Sequence, residues 1–248
     1  MRVDVVFGMA QLNPNLVVGR VVAVIDVLRA STTIACALHN GARNVVPLAS
    51  ADEVITRAKQ FERSKVVLAG EQKMLAVPGF DAGNSPREFT REAVAGKTVL
   101  LTTTNGTQAL LAVQGARDVV VGSYVNYSAV LALLRSAVRG GTDVTIICAG
   151  RDRQFSLEDA ACAGRFARDI TKTVTDVHTN DGAFASTLID QRYGDRLDQL
   201  FADSEHGQAL ADAGFAGDLE VAAQVDACPV VPIYQDRQIT RLGPDRER

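Results

Sequence analysis

The 248-residue chain is 47% apolar and carries a formal net charge of −3, so it can bury a core but lacks the basic surface typical of nucleic-acid-binding proteins. No apolar run reaches the ~20 residues of a membrane span, and neither nucleic acid nor a membrane is expected as a partner. The four cysteines lack CxxC spacing and predict buried free thiols, while the three scattered histidines disfavour a transition-metal site.

The N-terminal stretch MRVDVVFG has Asp4 where a signal peptide would require uninterrupted apolar residues, which predicts a cytoplasmic location. Residues 21–34, VVAVIDVLRASTTI, then predict a buried strand that ends at Asp26 and leads directly into a helix. A carboxylate, a cation and three hydroxyl groups therefore follow a strand end at once. This arrangement raises the question of what the turn binds.

The chain then repeats itself. Residues 33–46 align without a gap with residues 107–120 at an offset of 74, and both copies contain Gly-Ala-Arg followed by Val-Val. An apolar strand precedes each copy, and a helical stretch and a second strand ending in Ala-Gly follow it. We interpret the repeat as an internal duplication of a strand–helix unit, since similarity at a fixed offset marks repeated supersecondary units.

Short apolar runs that alternate with helical stretches predict a three-layer α/β/α fold with a largely parallel or mixed sheet built from two pseudo-equivalent βαβ halves. The halves are expected at about 20–95 and 96–170, within one compact domain spanning 1–248. A closing segment over 171–240 is expected to add helices around 183–201 and 205–212 and a last strand near 230–234. The tail over 243–248 is expected to be loose.

The turn after Asp26 has the composition of an anion site. In open α/β sheets ligands bind beyond the carboxyl ends of strands, where helix N-termini favour negative charge. Arg29 can bind phosphate or sulfonate oxygens through its forked guanidinium, and Ser31 and Thr32 supply hydroxyl groups. The simpler alternative is that Ser31 caps a helix and that Asp26 and Arg29 form an ordinary ion pair.

The second copy carries a similar turn. Residues 102–107, Thr-Thr-Thr-Asn-Gly-Thr, again follow a strand and lead into a helix, and they combine hydroxyl and amide donors with a glycine that permits close backbone approach. Two pseudo-symmetric turns of this kind are expected to face one crevice.

Further polar residues follow the two strands that end in Ala-Gly. Glu71 comes directly after the first, ahead of a glycine-rich loop that contains Asp81, Asn84 and Ser85. Glu158 and Asp159 follow the second, although acidic residues in a first helical turn are also ordinary partners of the helix dipole. Because these are oxygen ligands without His or Cys, they predict Mg²⁺, which commonly bridges a carboxylate to a substrate phosphate.

Together these segments resemble the 2-phosphosulfolactate phosphatase family, Mg²⁺-dependent phosphatases of coenzyme M biosynthesis. The resemblance spans nearly the whole chain in order. The segments that carry it are VVAVIDVLRASTTI, AGE at 69–71, GFDAGNSPRE at 79–88, LTTTNGTQAL at 101–110, AGRDRQFSLEDAACAG at 149–164, SEHGQAL and DACPVVP.

The resemblance implies a phosphoric monoester hydrolase that releases phosphate from a small anionic 2-hydroxy acid, with 2-phospho-3-sulfolactate as the implied substrate. The competing interpretation is a non-catalytic phosphometabolite- or nucleotide-binding module of α/β fold. No GxGxxG follows the first strand and no P-loop motif occurs, and paired carboxylates beside an anion favour a metal-assisted reaction. A homodimer is also considered.

The site residues are predicted in three groups. Those predicted for catalysis are Asp26, Arg29 and Glu71. Those predicted for substrate binding are Ser31, Thr32, Asn84, Ser85, Thr103, Thr104, Asn105, Gly106, Thr107 and His206. Those predicted to bind the metal are Asp26, Glu71, Asp81, Glu158 and Asp159.

Two roles are left open by the sequence. Asp26 is either a nucleophile or a metal ligand beside an attacking water, and Leu28 in place of a second Asp two residues on disfavours a haloacid-dehalogenase-type mechanism. His206 is either a general acid that reaches the crevice or an ordinary surface residue.

Overall fold

The structure, a computed structural model, describes residues 1–243, and residues 244–248 of the predicted loose tail lie outside that range. The described part forms one mixed sheet with helices packed on it. Its strands are β1 (Arg2–Val6), β2 (Val21–Ile25), β3 (Asn44–Pro47), β4 (Val66–Gln72), β5 (Leu75–Ala76), β6 (Thr98–Thr102), β7 (Asp118–Gly122), β8 (Val144–Cys148), β9 (His178–Thr179), β10 (Pro232–Gln235) and β11 (Gln238–Arg241).

The helices connect these strands and cover the sheet. They are α1 (Ala30–His39), α2 (Ala51–Ala58), α3 (Arg91–Val94), α4 (Gly106–Ala112), α5 (Tyr127–Arg139), α6 (Leu157–Thr171), α7 (Asp181–Tyr193), α8 (Leu197–Asp203), α9 (Glu205–Asp212) and α10 (Ala216–Ala222). Short 3₁₀ turns lie at Met9–Gln11, Pro14–Leu16, Arg63–Lys65, Pro86–Glu88 and Tyr124–Asn126.

Strand β2 shows why the fold has three layers. All five of its residues are buried, and alternate side chains enter different cores because successive strand residues point to opposite faces. Ala23 and Ile25 pack in the cluster that contains residues of α5, α6 and α7, whereas Val22 and Val24 pack in the cluster that contains residues of α1 and α4. The predicted α/β/α architecture is confirmed.

The strand order is β5-β4-β6-β3-β11-β10-β7-β2-β8-β1-β9. Two blocks of parallel strands, β4-β6-β3 and β7-β2-β8-β1-β9, are separated by the β10–β11 hairpin, which pairs antiparallel with β3 and β7. The sheet is therefore mixed, which is one of the two predicted alternatives, a largely parallel sheet or a mixed one.

The two segments interpreted as halves have exchanged their first strands. β6, which opens the second segment, lies between β3 and β4 of the first, and β2 lies between β7 and β8 of the second. Each parallel block thus contains strands from both segments. The order strand–helix–strand–helix–strand is the same in β2-α1-β3-α2-β4 and in β6-α4-β7-α5-β8, although the duplication itself stays a prediction.

The C-terminal segment differs from the expectation. The predicted helix over 183–201 is divided into α7 and α8, because Gly194 has a φ of +58° that interrupts the helix. The last strand, expected to close the sheet, instead forms a hairpin in its centre. β1, at the N-terminus, pairs with β8 and was not predicted as a strand.

The expectation for the cysteines is confirmed. All four cysteines are buried free thiols, and the Sγ atoms of Cys36 and Cys228 lie 3.3 Å apart. Within residues 1–243, we find no helix that combines the length and the apolar character needed to cross a membrane.

Candidate active site

A cavity of about 170 Å³ opens beside the N-terminal ends of α1 and α4. It collects polar turns from both parallel blocks and from the C-terminal helices. Its lining residues are Asp26, Leu28, Arg29, Glu71, Lys73, Met74, Asn84, Thr103, Thr104, Asn105, Arg151, Asp152 and His206. The crevice expected between the two turns is therefore present.

Asp26 lies between the end of β2 and the first turn of α1, with 5% of its surface exposed. Its carboxylate Oδ1 accepts a hydrogen bond from the backbone N–H of Ala30 at 3.2 Å, and its own N–H donates to Ser31 Oγ at 2.9 Å. The start of α1 is thus occupied by the protein's own carboxylate. An incoming anion meets this carboxylate instead of a free helix N-terminus.

The carboxyl group of Asp26 is electrostatically unusual. Burial raises its pKa to about 6, and the negative charges of Glu71 and Glu158 add to this increase, while His206 and the Ala30 N–H oppose it. No hydrogen bond reaches Oδ2 from any residue within 1–243. One oxygen of a carboxylate that resists ionisation therefore remains available to a ligand.

Gly106 explains how the two turns come so close. A Cβ atom at this position would lie 2.5 Å from Ala30 Cβ and 2.6 Å from Asp26 Oδ2, so only glycine permits the first turn of α4 to touch this part of α1. Gly106, a predicted binding residue, is absent from the cavity lining. Its role in the structure is to let the turn before α4 approach the turn before α1 closely.

Glu71, at the end of β4, uses both carboxylate oxygens to organise neighbouring backbone. Oε1 accepts from the N–H of Thr104 at 2.7 Å, and Oε2 accepts from the N–H of Met74 at 2.9 Å. Glu71 therefore ties the turn after β6 to the β4–β5 turn. It lines the same cavity as Asp26, as the sequence predicted.

Arg29 lies in the pocket wall with 4% of its surface exposed. Its guanidinium donates to Asp218 Oδ2 at 2.9 Å and to the carbonyl of Met74 at 2.7 Å, and it stacks on the ring of Phe215 at 4.4 Å. The considered ion pair with Asp26 is replaced by one with Asp218. A guanidinium held on three sides presents its remaining donors in a fixed direction.

Glu158 and Asp159 lie in the first turn of α6 and contact different groups. Asp159 accepts from the N–H groups of Val27 at 2.8 Å and Gly150 at 3.0 Å, so it joins the loops after β2 and β8. Burial raises the pKa of Asp159 well above its usual range, and the charges of Glu158 and Asp26 raise it further.

His206 contacts the buried carboxylate of Glu158. Its Nδ1 lies 3.3 Å from Glu158 Oε1, and only 12% of the His206 side chain is exposed. Because Nδ1 faces a carboxylate, Nε2 is the nitrogen available for proton transfer. Glu158 Oε2 is buried and has no partner among the described residues.

Thr103 and Thr107 form most of their hydrogen bonds with each other. Thr103 N–H donates to Thr107 Oγ1 at 3.0 Å, and Thr107 N–H donates to Thr103 Oγ1 at 3.1 Å. Asn105 Oδ1 accepts from the N–H of Asp152 at 3.0 Å. These residues shape the turn, and Thr103, Thr104 and Asn105 also line the cavity.

The remaining predicted residues lie outside the cavity lining. Asp81 is paired with Arg63 and accepts from the N–H of Leu68 at 2.8 Å, which holds it at the edge of β4. Ser85 Oγ donates to Asp218 Oδ1 at 2.6 Å, and Thr32 Oγ1 donates to a backbone carbonyl inside the core. Ser31 supports the Asp26 backbone. These side chains do not face the cavity, and their hydrogen bonds stabilise the loops that form it.

The predicted metal ligands do not form one cage. Within residues 1–243 no group of three or more His, Cys, Asp or Glu side chains is arranged to hold a metal ion. Asp81 and Asp159 are engaged as described above. No hydrogen-bond partner among the described residues reaches Asp26 Oδ2, Asn84 Oδ1 or Glu158 Oε2. Asp26 and Asn84 line the cavity, whereas Glu158 is absent from its lining.

No local sequence pattern points to several residues at or beside the cavity. Lys73 and Met74 form a two-residue loop that lacks the usual Asn-Gly signal. Arg151 lies in the segment AGRDRQFSLEDAACAG, where no local pattern marks it as a site residue. Asp218, which holds Arg29, is 189 residues away in sequence and belongs to no motif. Only tertiary packing brings these groups to the pocket.

The arrangement combines two buried carboxylates, a carboxylate-backed histidine and three cationic side chains in a small cavity. Such a set can bind an anionic substrate, stabilise developing negative charge and transfer a proton. The cavity is smaller than the roughly 300 Å³ at which drug-sized ligand sites begin, which favours a small substrate over a nucleotide.

Comparisons with known proteins agree with this chemistry. The sequence profile of the family described as 2-phosphosulpholactate phosphatase matches residues 9–237. A protein from Symbiobacterium thermophilum named probable 2-phosphosulfolactate phosphatase is 41% identical over 224 residues, covering 90% of this chain and 95% of its own. Proteins of the same name from Thermotoga maritima and Clostridium botulinum (strain Eklund 17B) are 35% identical over 230 residues and 31% identical over 242 residues. The match to the Thermotoga maritima protein covers 93% of this chain and 94% of that protein. The match to the Clostridium botulinum protein covers 98% of this chain and 100% of that protein.

Proposed function

The chain belongs to the 2-phosphosulfolactate phosphatase family, and on that premise we propose that it hydrolyses 2-phospho-3-sulfolactate to 3-sulfolactate and inorganic phosphate. The observation that carries the proposal is the cavity in which Asp26 and Glu71 lie beside Arg29, Lys73 and His206. This combination suits a phosphate ester with further acidic groups.

We propose that Mg²⁺ takes part in the reaction. The oxygen donors fit this ion, since Mg²⁺ needs only one or two carboxylates and otherwise keeps waters and substrate oxygens as ligands. Asp26 Oδ2 and the unpartnered Asn84 Oδ1 would hold it. Mg²⁺ supplies positive charge that offsets the repulsion between a carboxylate and phosphoryl oxygens.

The protein's own residues would orient and protonate the substrate. Arg29, held by Asp218 and the Met74 carbonyl, directs its remaining N–H donors at the phosphoryl oxygens and stabilises the charge that develops there. His206, whose Nδ1 faces Glu158, protonates the ester oxygen that leaves. Water adds to phosphorus as the P–O ester bond breaks, and the ester oxygen keeps the proton from His206, so 3-sulfolactate leaves with a free hydroxyl group. A proton of the attacking water replaces the one that His206 gave up, and the oxygen of that water stays on the released phosphate.

The competing function, a binding module without turnover, is weakened by the buried acidic groups. Burial raises the pKa of the Asp26 carboxyl group to about 6. A buried carboxyl group that becomes negatively charged beside a bound anion is unfavourable for simple anion binding. A module that only retained an anion would bind it better without that carboxylate.

The direct test is phosphate release from 2-phospho-3-sulfolactate by the purified full chain, with and without Mg²⁺ and after removal of metal with EDTA. We expect turnover with Mg²⁺, loss of turnover in EDTA, and recovery when Mg²⁺ is added back. The variant Asp26→Asn should be inactive. The matched variant Asp81→Asn should keep activity, because Asp81 is held at the β4 edge by Arg63.

Binding of the substrate without phosphate release would favour the binding module. Full activity in EDTA, or in Asp26→Asn, would refute the proposed role of Mg²⁺ and Asp26. A cytoplasmic location, a homodimer and a place in coenzyme M biosynthesis stay predictions of the sequence analysis.

A further inference from the structure

The turn between β4 and β5 has an unusual backbone for its sequence. Glu71 pairs with Ala76 and Gln72 with Leu75, so Lys73 and Met74 alone form a two-residue hairpin loop. Both have positive φ angles, +49° and +71°. Loops of this kind usually contain Asn-Gly, since side chains with a Cβ are disfavoured at positive φ.

Two charged residues of the pocket hold this loop in place. The N–H of Met74 donates to Glu71 Oε2 at 2.9 Å, and the carbonyl of Met74 accepts from the Arg29 guanidinium at 2.7 Å. Both polar backbone groups of one loop residue are thus used by the site. The loop position is therefore coupled to the residues that face the substrate.

The cations of the pocket differ in how far their charge is already compensated. Arg29 is paired with Asp218 at 2.9 Å, and Arg151 is paired with Glu205 at 3.0 Å. Lys73 also lines the cavity, yet it makes no hydrogen bond or ion pair with any residue within 1–243. Lys73, an exposed residue, is thus the lining cation whose charge no residue within 1–243 compensates.

We propose that Lys73 binds the sulfonate group of the substrate and so sets the preference for sulfonated over plain 2-phospho acids. The inference rests on the proposed function, whose substrate carries a phosphate, a carboxylate and a sulfonate. A lysine ammonium acts as a compact charge with three donors, which suits the three oxygens of a sulfonate. The guanidinium of Arg29, fixed by Asp218 and the Met74 carbonyl, is already assigned to the phosphoryl oxygens in the proposed function.

The test compares ligands that differ only in the sulfonate. Binding of 3-sulfolactate and of lactate to the full chain is measured by calorimetry, and KM is measured for 2-phospho-3-sulfolactate and for 2-phospholactate. The variants are Lys73→Met, which keeps an unbranched side chain without the charge, and Lys73→Arg, which restores a cation. Lys59→Met, an exposed lysine at the end of α2 that is absent from the cavity lining, is the matched control.

We expect the wild type to bind 3-sulfolactate about tenfold more tightly than lactate, the size of one charge-assisted hydrogen bond. Lys73→Met should remove this difference and raise KM for the sulfonated substrate about tenfold, while KM for 2-phospholactate should rise by a clearly smaller factor. Lys73→Arg should recover most of the preference, and Lys59→Met should behave as the wild type.

The proposal is overturned if the wild type binds both ligands equally, or if Lys73→Met changes affinity for both ligands by the same factor. The calorimetric result does not depend on turnover. If no substrate is hydrolysed but the Lys73-dependent preference for 3-sulfolactate persists, the hydrolytic function fails and the role of Lys73 stands.

Discussion

Replacing Asp26 by Asn should abolish activity and at the same time stabilise the metal-free protein. Burial raises the pKa of Asp26 from 3.8 to about 6 in the folded chain. The folded state therefore holds a proton more tightly than the unfolded state, and ionisation of this group opposes folding. A shift of this size corresponds to about 3 kcal/mol, because each pKa unit is worth 1.36 kcal/mol.

The pH dependence follows from the sign of that shift. Below pH 3.8 Asp26 is mainly protonated in both the folded and the unfolded state, so it does not lower the free energy of unfolding. The cost grows as pH rises from 3.8 to 6 and is constant above that. Asn keeps an oxygen that can accept the Ala30 N–H but cannot ionise, so it avoids the cost. At pH 8 Asp26→Asn should be more stable by up to about 3 kcal/mol, and at pH 5 by roughly half of that.

The measurement is urea unfolding in EDTA at pH 8 and pH 5, with the variant and the wild type compared at each pH. Added Mg²⁺ should narrow the gap at pH 8 by stabilising only the wild type. Asp212→Asn, an exposed carboxylate on α9, serves as the control and should change stability by no more than about 0.5 kcal/mol. An Asp26→Asn variant no more stable than the wild type at pH 8 in EDTA would refute this account of the buried carboxyl.

Two further predictions concern the walls of the pocket. Gly106→Ala should lower the free energy of unfolding by about 1–3 kcal/mol and reduce activity strongly, since the new Cβ would lie 2.5 Å from Ala30 Cβ. Thermal unfolding and phosphate release measure this, with Gly243→Ala, which has no atom within 4 Å, as the control. Glu158→Gln should lower kcat at least tenfold with little change in KM, because the Nδ1 atom of His206 then faces an amide in place of the carboxylate that lies 3.3 Å from it. An equal loss of kcat in a Glu158→Gln variant that already lacks His206 would contradict this dependence.

Part of the site was readable from local patterns. A carboxylate directly after a buried strand identified Asp26 and Glu71, and both line the cavity. The glycine-rich loop after Glu71 also suggested Asp81 as a metal ligand, but Arg63 holds Asp81 outside the cavity lining. Sequence patterns place a residue at the end of an element, but they do not say which neighbour will satisfy its charge.

The sequence by itself determined the layered α/β architecture, since strands such as β2 are apolar on both faces and must be covered on both sides. It also placed polar turns at strand ends, because turn residues and helix starts depend on local backbone chemistry.

Only the tertiary structure decided which turns meet. The exchange of β2 and β6 between the two parallel blocks, and the insertion of the β10–β11 hairpin between those blocks, depend on strand pairing across long stretches of chain. The same holds for Asp218 on Arg29, which lies 189 residues away, and for Lys73 at the cavity. Such contacts arise from the packing of whole elements, which periodicity along the chain does not encode.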